Sequence, residues 1–334
     1  MKVCIYIAMF FFFSACAQEQ QANWALHPPI THSNAVEIDS NNFVEVLSTY
    51  VKRYPVEPWY YVFVNNEGCF YEILINDVPA ECYFKDGKMA TPIDINNYIN
   101  KSGKQTLTYR LYPQTKREDG FNMDKLPAWT KIGIELYVRD NADLHNAFDS
   151  EKEVLQHTSL TQADGKTFVA AGETYYEYTL SFDAEVPYQG IGWEDSQDLR
   201  KMDPDTLLEK TVAAYQYYWH IIDSKDLDLD ITLSLKNYIN QVVCEYRPKN
   251  EIEDMFNSIK FVYEEPTFKL QPLKDYKLKI YGNGRIVCLE TESEDLRIKN
   301  NWPIYGLYEN ESYVRFRRLY LHMPQGKNTF EIIR

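Results

Sequence analysis

Strict alternation of apolar and polar residues constrains the fold of this chain more than any other feature. In KQTLTYRLYP, residues 104–113, Leu107, Tyr109 and Leu111 fall on one face and Thr106, Thr108 and Arg110 on the other. A period of two residues is typical of a strand with one buried face. The same pattern or short aromatic and β-branched runs recur in WYYVFVNN, GCFYEILIN, ECYF, TKIGIELYVRD and TYYEYTLSFDAEV. Several such strands without a long helix predict an all-β antiparallel sandwich.

The run IDINNYINKSGKQTLTYRLYP resembles the edge of Ig-like and jelly-roll modules, where a turn closes at a glycine and a long strand follows. Gly103 would supply that glycine. The resemblance implies an Ig-like or jelly-roll-like sandwich and implies nothing about function. We expect this β-sandwich domain to span residues 39–190 and to begin with a short helix over residues 42–54, which Pro55 and Pro58 end.

A change of pattern marks the second half. PYQGIGWEDSQDLRKMD, residues 187–203, has no apolar period, and Asp203 with Pro204 is a helix start. We expect helices to about residue 224, over 231–245 and over 251–260, then a hairpin at Gly282-Asn283-Gly284 and a last strand pair, 313–323 with 328–333. This predicts an α+β domain over 203–334. Its order, helices and then an antiparallel sheet, loosely resembles the NTF2-like cone, which can enclose a pocket.

The leader MKVCIYIAMFFFFSACAQ predicts export. Lys2, an apolar run over residues 3–13 and small residues before Gln18 are typical of a signal peptide, here residues 1–17. Phe13-Ser14-Ala15-Cys16 resembles the lipobox of bacterial cell-envelope lipoproteins. The resemblance implies a lipid on Cys16 that anchors the chain to a membrane, at the periplasmic or cell-surface side. Ordinary cleavage after Ala17 would instead leave a secreted protein. Residues 18–38 are then an extended linker.

Four cysteines remain outside the leader: Cys69, Cys82, Cys244 and Cys288. An even number in an exported protein permits two disulfides, and four free buried thiols are the alternative. A two-residue turn at Asn76-Asp77 would place Cys69 diagonally across a hairpin from Cys82. We therefore expect Cys69–Cys82 to be the more favourable disulfide.

Motifs of catalysis and cofactor binding do not occur in the sequence. It has no HExxH, GxSxG, phosphate-binding loop or CxxC, and its six histidines show no metal-ligand spacing. Asp226, Asp228 and Asp230 alternate in KDLDLDI, but the glycine and glutamate of a calcium loop do not follow. We read these aspartates as a solvated helix connection. The sequence therefore predicts no catalytic residue, no metal and no cofactor.

Net charge narrows the class of partner. The chain carries −14 at pH 7, which disfavours nucleic acid. Its 27 tyrosines suit strands, and they also suit a face that contacts glycans or proteins. We expect a non-catalytic envelope lipoprotein that binds a protein or a glycan, and an immunity protein that neutralises a basic toxin is one version. Two alternatives stay open: a small-ligand binder with a pocket at Tyr215, Tyr218, Trp219 and His220, and a hydrolase whose site the sequence hides.

Overall fold

The computed structural model describes residues 24–85, 87, 89–115, 120, 122–142 and 147–334. The leader and Cys16, the predicted lipidation site, lie outside these residues. The described chain is built mainly from antiparallel strands arranged in four sheets, with helices concentrated in the second half. This confirms the β-rich first half and the helices-then-sheet order of the second half.

The first half contains two four-stranded antiparallel sheets, in the orders β4-β1-β6-β7 and β3-β2-β5-β8. The predicted alternation is confirmed, since the apolar positions of β5 and β6 are buried and their polar neighbours are more open. The elements are α1 (Phe43–Ser48), β1 (Pro58–Glu67), β2 (Phe70–Ile75), β3 (Val78–Tyr83), β4 (Ile93–Asp94), β5 (Gly103–Tyr112), β6 (Lys131–Asp140), β7 (Lys152–Thr158) and β8 (Tyr176–Ala184).

The second half contains three helices followed by seven short strands within the described residues. Asp203 caps the first helix as predicted, because its side chain accepts a hydrogen bond from the Thr206 N–H and Pro204 follows it. The elements are α2 (Pro204–Asp223), α3 (Leu227–Cys244), α4 (Lys249–Glu264), β9 (Lys269–Leu270), β10 (Tyr276–Tyr281), β11 (Ile286–Thr291), β12 (Tyr305–Tyr308), β13 (Tyr313–Phe316), β14 (Leu321–His322) and β15 (Glu331–Ile332).

These strands form two sheets, in the orders β10-β11-β14-β15 and β13-β12-β9. The hairpin at Gly282–Gly284 is confirmed, because β10 and β11 pair on either side of it. The single strand predicted over residues 313–323 is wrong. β13 pairs with β12, whereas β14 pairs with β11 and β15 in the other sheet. Leu319, Tyr320 and Leu321 are all buried, so the two-residue period ends where the chain crosses between sheets.

Strand β2 shows how the halves are joined, because all six of its residues are buried. On one side of its sheet, Tyr109 of β5 hydrogen-bonds His157 of β7 at 3.1 Å. On the other side, the Asn300 side chain donates to Glu72 at 3.0 Å and the Arg110 guanidinium lies 5.7 Å from the centroid of the Tyr281 ring. The sheet β3-β2-β5-β8 is therefore a middle layer covered on both faces.

The segment before β1 packs against the second half. Ile30 is buried and forms a parallel bridge with Phe330. Phe43 of α1 stacks on Phe256 of α4 at 4.8 Å between ring centroids and meets Tyr238 of α3 edge-on. The residues expected to act as a linker and a sandwich helix thus contribute to the packing of α3 and α4.

The predicted Cys69–Cys82 disulfide is not formed, and the four cysteines of the described residues are free. The two-residue turn itself is confirmed, since Asn76 and Asp77 have φ of 51° and 61° and Ile75 pairs with Val78. A bulge between Ile73 and Leu74 then places Cys82 opposite Glu72. Cys69 precedes Glu72 by three residues, which is about 10 Å along a strand and on the opposite face. None of the described helices is long and apolar enough to cross a bilayer.

Candidate functional site

A groove runs along α3 where the second half meets β3 and β4. It consists of a cavity of about 450 Å³ beside β3 and β4 and a cavity of about 430 Å³ between α3, α4 and β13. Asn237, Gln241 and Arg318 line both cavities, so the two are adjacent. We call this surface the arginine groove, for the five arginines that line it: Arg247, Arg315, Arg317, Arg318 and Arg334.

Helix α3 supplies the amide side chains of the groove. Asn237 and Gln241 lie one turn apart, and the Gln241 amide donates to Asn237 Oδ1 at 3.1 Å. Asn240 is buried and donates through Nδ2 to Asn97 Oδ1 at 2.6 Å, while its Oδ1 accepts from the Ile191 N–H at 2.7 Å. This fixes the turn Asn96–Tyr98, and with it Asn97 and Tyr98 of the groove, against the helix.

The arginines come from three places in the sequence. Arg315 lies on β13, Arg317 and Arg318 follow it, Arg247 follows α3, and Arg334 follows β15. The groove thus holds five of the twelve arginines of the chain. Among the described residues, every basic side chain that lines it is an arginine, the residue whose planar fork binds carboxylates through two parallel hydrogen bonds.

Two of the five arginines have a carboxylate partner within the protein. Arg247 pairs with Glu245 at 2.5 Å, and Arg317 pairs with the buried Asp230. Within the described residues, the other three arginines form no ion pair. Their hydrogen-bond acceptors are neutral oxygens: Ser258 O at 3.1 Å and Ser258 Oγ for Arg315, Tyr98 Oη at 3.1 Å for Arg318, and Asn100 Oδ1 at 2.7 Å, Ile191 O and Ile333 O for Arg334.

Arg334 is the most unusual of these. Its side chain is buried, and its Nε–H has no hydrogen-bond partner. Burial lowers the pKa of Arg334 to about 10, and burial together with the neighbouring Arg317 lowers the pKa of Arg315. A positive charge that is taken out of water without a counterion is costly to the folded state. The groove therefore contains three arginines that form no ion pair within the described residues.

Acidic side chains also line the groove, so its lining is mixed. Glu81 and Asp94 lie at the β3 and β4 end, and Asp254 lies at the α4 end. Asp94 Oδ1 accepts from the Trp59 Nε1–H at 2.8 Å. Burial raises the pKa of Glu81, and the positive charge of Arg318 opposes that shift. Acceptors that can take hydrogen bonds from hydroxyl groups therefore flank the arginines.

The pocket residues expected from the sequence point in different directions around α2. The buried Tyr215 donates to Leu319 O at 2.5 Å, and Trp219 donates to Gln271 O at 2.7 Å. The His220 ring lies 5.8 Å from the Trp24 ring. Tyr218 donates to Asp230 at 2.5 Å and is the one member of the four that lines the arginine groove. The structure thus does not bring these four side chains to one cavity.

A serine–histidine pair occurs outside the groove. Ser196 Oγ lies 2.7 Å from His322 Nδ1, and Glu331 is the cross-strand neighbour of His322. Both members are buried, the Nε2 of His322 has no partner, and neither lines the groove. Burial lowers the pKa of His322 to about 4. A nucleophile needs access to its substrate, and this pair is buried. We therefore assign it a structural role, in which it connects the loop before α2 to β14.

Comparisons with known proteins leave the site to be interpreted on its own chemistry. No protein-family model, curated protein sequence or solved structure matches this chain. In the part of the chain that the structure describes, no group of three or more His, Cys, Asp and Glu side chains is placed to hold a metal ion.

The arginine groove is the feature that the sequence analysis missed. One signal was present: YVRFRRLY, residues 313–320, places three arginines within four positions of an otherwise acidic chain. That cluster lies in a segment expected to be a continuous strand, where Arg315 and Arg317 would share one face and Arg318 would lie on the other. Recognising the groove also requires Asn237, Gln241 and Arg334, which only the fold brings next to it.

Proposed function

We propose that this protein is an exported, non-catalytic envelope lipoprotein that binds a glycan in the arginine groove. The single observation that carries the proposal is the pair of adjacent cavities along α3, lined by amide, carboxylate and guanidinium side chains. Ligand sites are concave and fix their ligand with a few placed polar groups. A sugar presents hydroxyl groups that both donate and accept, and this lining offers partners of both kinds.

Concavity and polarity favour a glycan over the protein partner that the sequence left open. The centre of a protein–protein interface is depleted in charged residues and enriched in aromatic ones. The groove differs from such a centre in the four carboxylates among its lining residues, Glu81, Asp94, Glu245 and Asp254. An inhibitor of a toxin would therefore use another face of the molecule.

Binding measurements on the mature chain test this proposal. We expect a glycan selected from an array to bind, and Gln241→Ala or Asn237→Ala to weaken its binding about tenfold, the effect of one to two lost hydrogen bonds. Asn257→Ala is the matched control, because Asn257 is an exposed amide side chain that does not line the groove. Binding that the groove variants leave unchanged, or the absence of any glycan ligand, would contradict the proposal.

The envelope location rests on the leader, with its lipobox-like Cys16. Two lipid chains or more give stable membrane attachment. Labelled palmitate should enter the wild-type protein and not Cys16→Ser, and only the wild type should sediment with membranes. An unlabelled, soluble wild-type protein would favour ordinary secretion.

We also propose a division of the chain into two domains. Residues 39–190 would form an Ig-like or jelly-roll-like sandwich domain, and residues 203–334 an α+β domain of NTF2-like element order. The sheets support this division, since among the described strands each sheet draws its members from one side of Asp203 only.

A further inference from the structure

The three arginines without a carboxylate partner, Arg315, Arg318 and Arg334, carry information about the ligand. We infer that the arginine groove binds an acidic glycan of several sugar units, whose repeated carboxylate groups pair with these arginines. This inference rests on the proposed function and narrows it to one chemical class of ligand.

The charges around these three arginines favour an anionic ligand. The chain has a net charge of −14, so carboxylates are abundant, yet these three side chains have none as an ion-pair partner among the described residues. Arg318 is held open to the groove by stacking, with its guanidinium carbon 4.4 Å from the centroid of the Trp302 ring. An incoming carboxylate would pair with the donors of Arg318, which is exposed and lines both cavities.

The length of the groove favours a ligand of several sugar units. The α3 residues that line the groove extend from Ser234 to Glu245. At a rise of 1.5 Å per residue, this part of the helix is roughly 16 Å long, which exceeds one sugar ring. Arg334 lines the cavity beside β4, Arg318 lines both cavities, and Arg315 lines the cavity beside α4. Anion-binding groups are thus distributed along the groove, as a ligand with repeated charges requires.

The acidic lining residues distinguish a glycan from other polyanions. Glu81, Asp94 and Asp254 would repel a ligand that presents only negative charge. A uronic acid chain also carries hydroxyl groups, which donate to these carboxylates. A polypeptide of glutamates has no hydroxyl groups and is expected to bind poorly.

Calorimetry with matched acidic and neutral glycans tests the inference on the mature chain. The probes are oligogalacturonides, oligoalginates and hyaluronan oligomers of one to six units, each beside its methyl ester, which keeps the backbone and removes the charge. We expect at least one acidic series to bind tenfold or more tightly than its ester, with affinity that rises with length and falls with salt.

Groove variants link that binding to the arginines. Arg318→Gln and Arg315→Gln should each weaken binding of the acidic oligomer about tenfold or more, and should leave binding of the ester nearly unchanged. Arg297→Gln is the matched control, because Arg297 is an exposed arginine outside the groove. If Arg318→Gln proves unstable, Arg318→Lys replaces it in the test. This variant keeps the charge without the planar fork and should give an intermediate loss of affinity for the acidic oligomer.

The outcomes separate the two proposals. If neutral glycans bind as tightly as acidic ones, the inference fails and the proposed function stands. If no glycan on the array or in these series binds, both fail. If polyglutamate binds as tightly as the acidic oligomers, the ligand is an acidic peptide and the inference is overturned.

Discussion

Arg317 and Arg318 are neighbours in the sequence and have opposite surroundings. The Arg317 side chain is 13% exposed and forms an ion pair with Asp230, whose side chain is fully buried. Arg318 is exposed to the groove, donates to the Tyr98 hydroxyl and stacks on Trp302, and it forms no ion pair within the described residues. One arginine therefore has its ion-pair partner inside the fold, and the next one has none in the part of the chain that the structure describes.

Hydrogen-bond partners distinguish a structural charge from a ligand-binding one. Asp230 accepts hydrogen bonds from Tyr218 at 2.5 Å, Ser234 at 3.1 Å and Tyr263 at 2.9 Å, in addition to Arg317. Its oxygens are saturated by groups from α2, α3, α4 and the segment after β13. Such a network joins elements of the fold, and it already supplies the carboxylate partner of Arg317, whose buried Nε–H alone has no acceptor among the described residues. Arg318 has donors to spare and faces open space.

Breaking this network should produce the largest effect on stability. Asp230→Asn removes the counterion of Arg317 and places an amide donor beside the Arg317 and tyrosine donors. We expect the free energy of unfolding to fall by about 3–5 kcal/mol, as for a buried pair that loses one partner. Denaturant titration measures this. Asp295→Asn is the matched control, because the exposed Asp295–Arg297 pair should contribute less than about 1 kcal/mol. Equal losses in both variants would abolish the distinction.

His322 extends the comparison to a buried group that remains uncharged. Burial lowers its pKa from 6.5 to about 4, so the unfolded chain binds the proton first as pH falls. Stability should therefore decrease as pH falls from about 6.5 to about 4, by about 3 kcal/mol in total. His322→Asn retains a partner for Ser196 and should remove this acid sensitivity. Unfolding curves between pH 4 and 7 that coincide for both proteins would show that His322 is not buried as described.

Glu290 should show the opposite pH dependence at a smaller size. Burial, with the nearby carboxylate of Glu72, raises its pKa from 4.5 to about 6, although the Tyr281 hydroxyl donates to it. The folded state holds this proton longer, so stability is lost as pH rises from about 4.5 to about 6, by about 2 kcal/mol. Glu290→Gln should flatten this dependence and stabilise the protein at pH 7. A stability profile of Glu290→Gln parallel to that of the wild type would contradict this.

Local patterns in the sequence predicted local structure well. Alternation predicted β5 and β6, and the Asp203-Pro204 pair predicted the start of α2. Asn76-Asp77 predicted a hairpin turn, in which both residues have a left-handed backbone. Each of these features depends on residues close together in the chain. The bulge in β2 had no such signal, and one extra residue was enough to separate Cys69 from Cys82.

The site depends on contacts that no local pattern encodes. Asp230 was expected in a solvated connection, but α3 begins earlier, at Leu227 with Asp226 as its cap, and Asp230 then faces the interior. The groove brings α3 next to Arg318, which lies about 80 positions later in the sequence. It also brings Arg318 next to Tyr98, which lies 220 positions before Arg318. Charge composition could suggest an unusual arginine cluster, and only the tertiary structure shows which of its members lack a counterion.

Removing Arg318 should have the smallest effect on stability of all these changes. Arg318→Gln loses the stacking on Trp302 and the hydrogen bond to Tyr98, which together stabilise the fold modestly, and it also removes a positive charge that forms no ion pair with the described residues. These effects oppose each other, so we expect the free energy of unfolding to change by less than about 1 kcal/mol. Denaturant titration beside Asp230→Asn measures both variants under one condition. A loss of several kcal/mol in Arg318→Gln would assign this arginine to the fold, as Arg317 is, and would remove the reason to expect an anion in the groove.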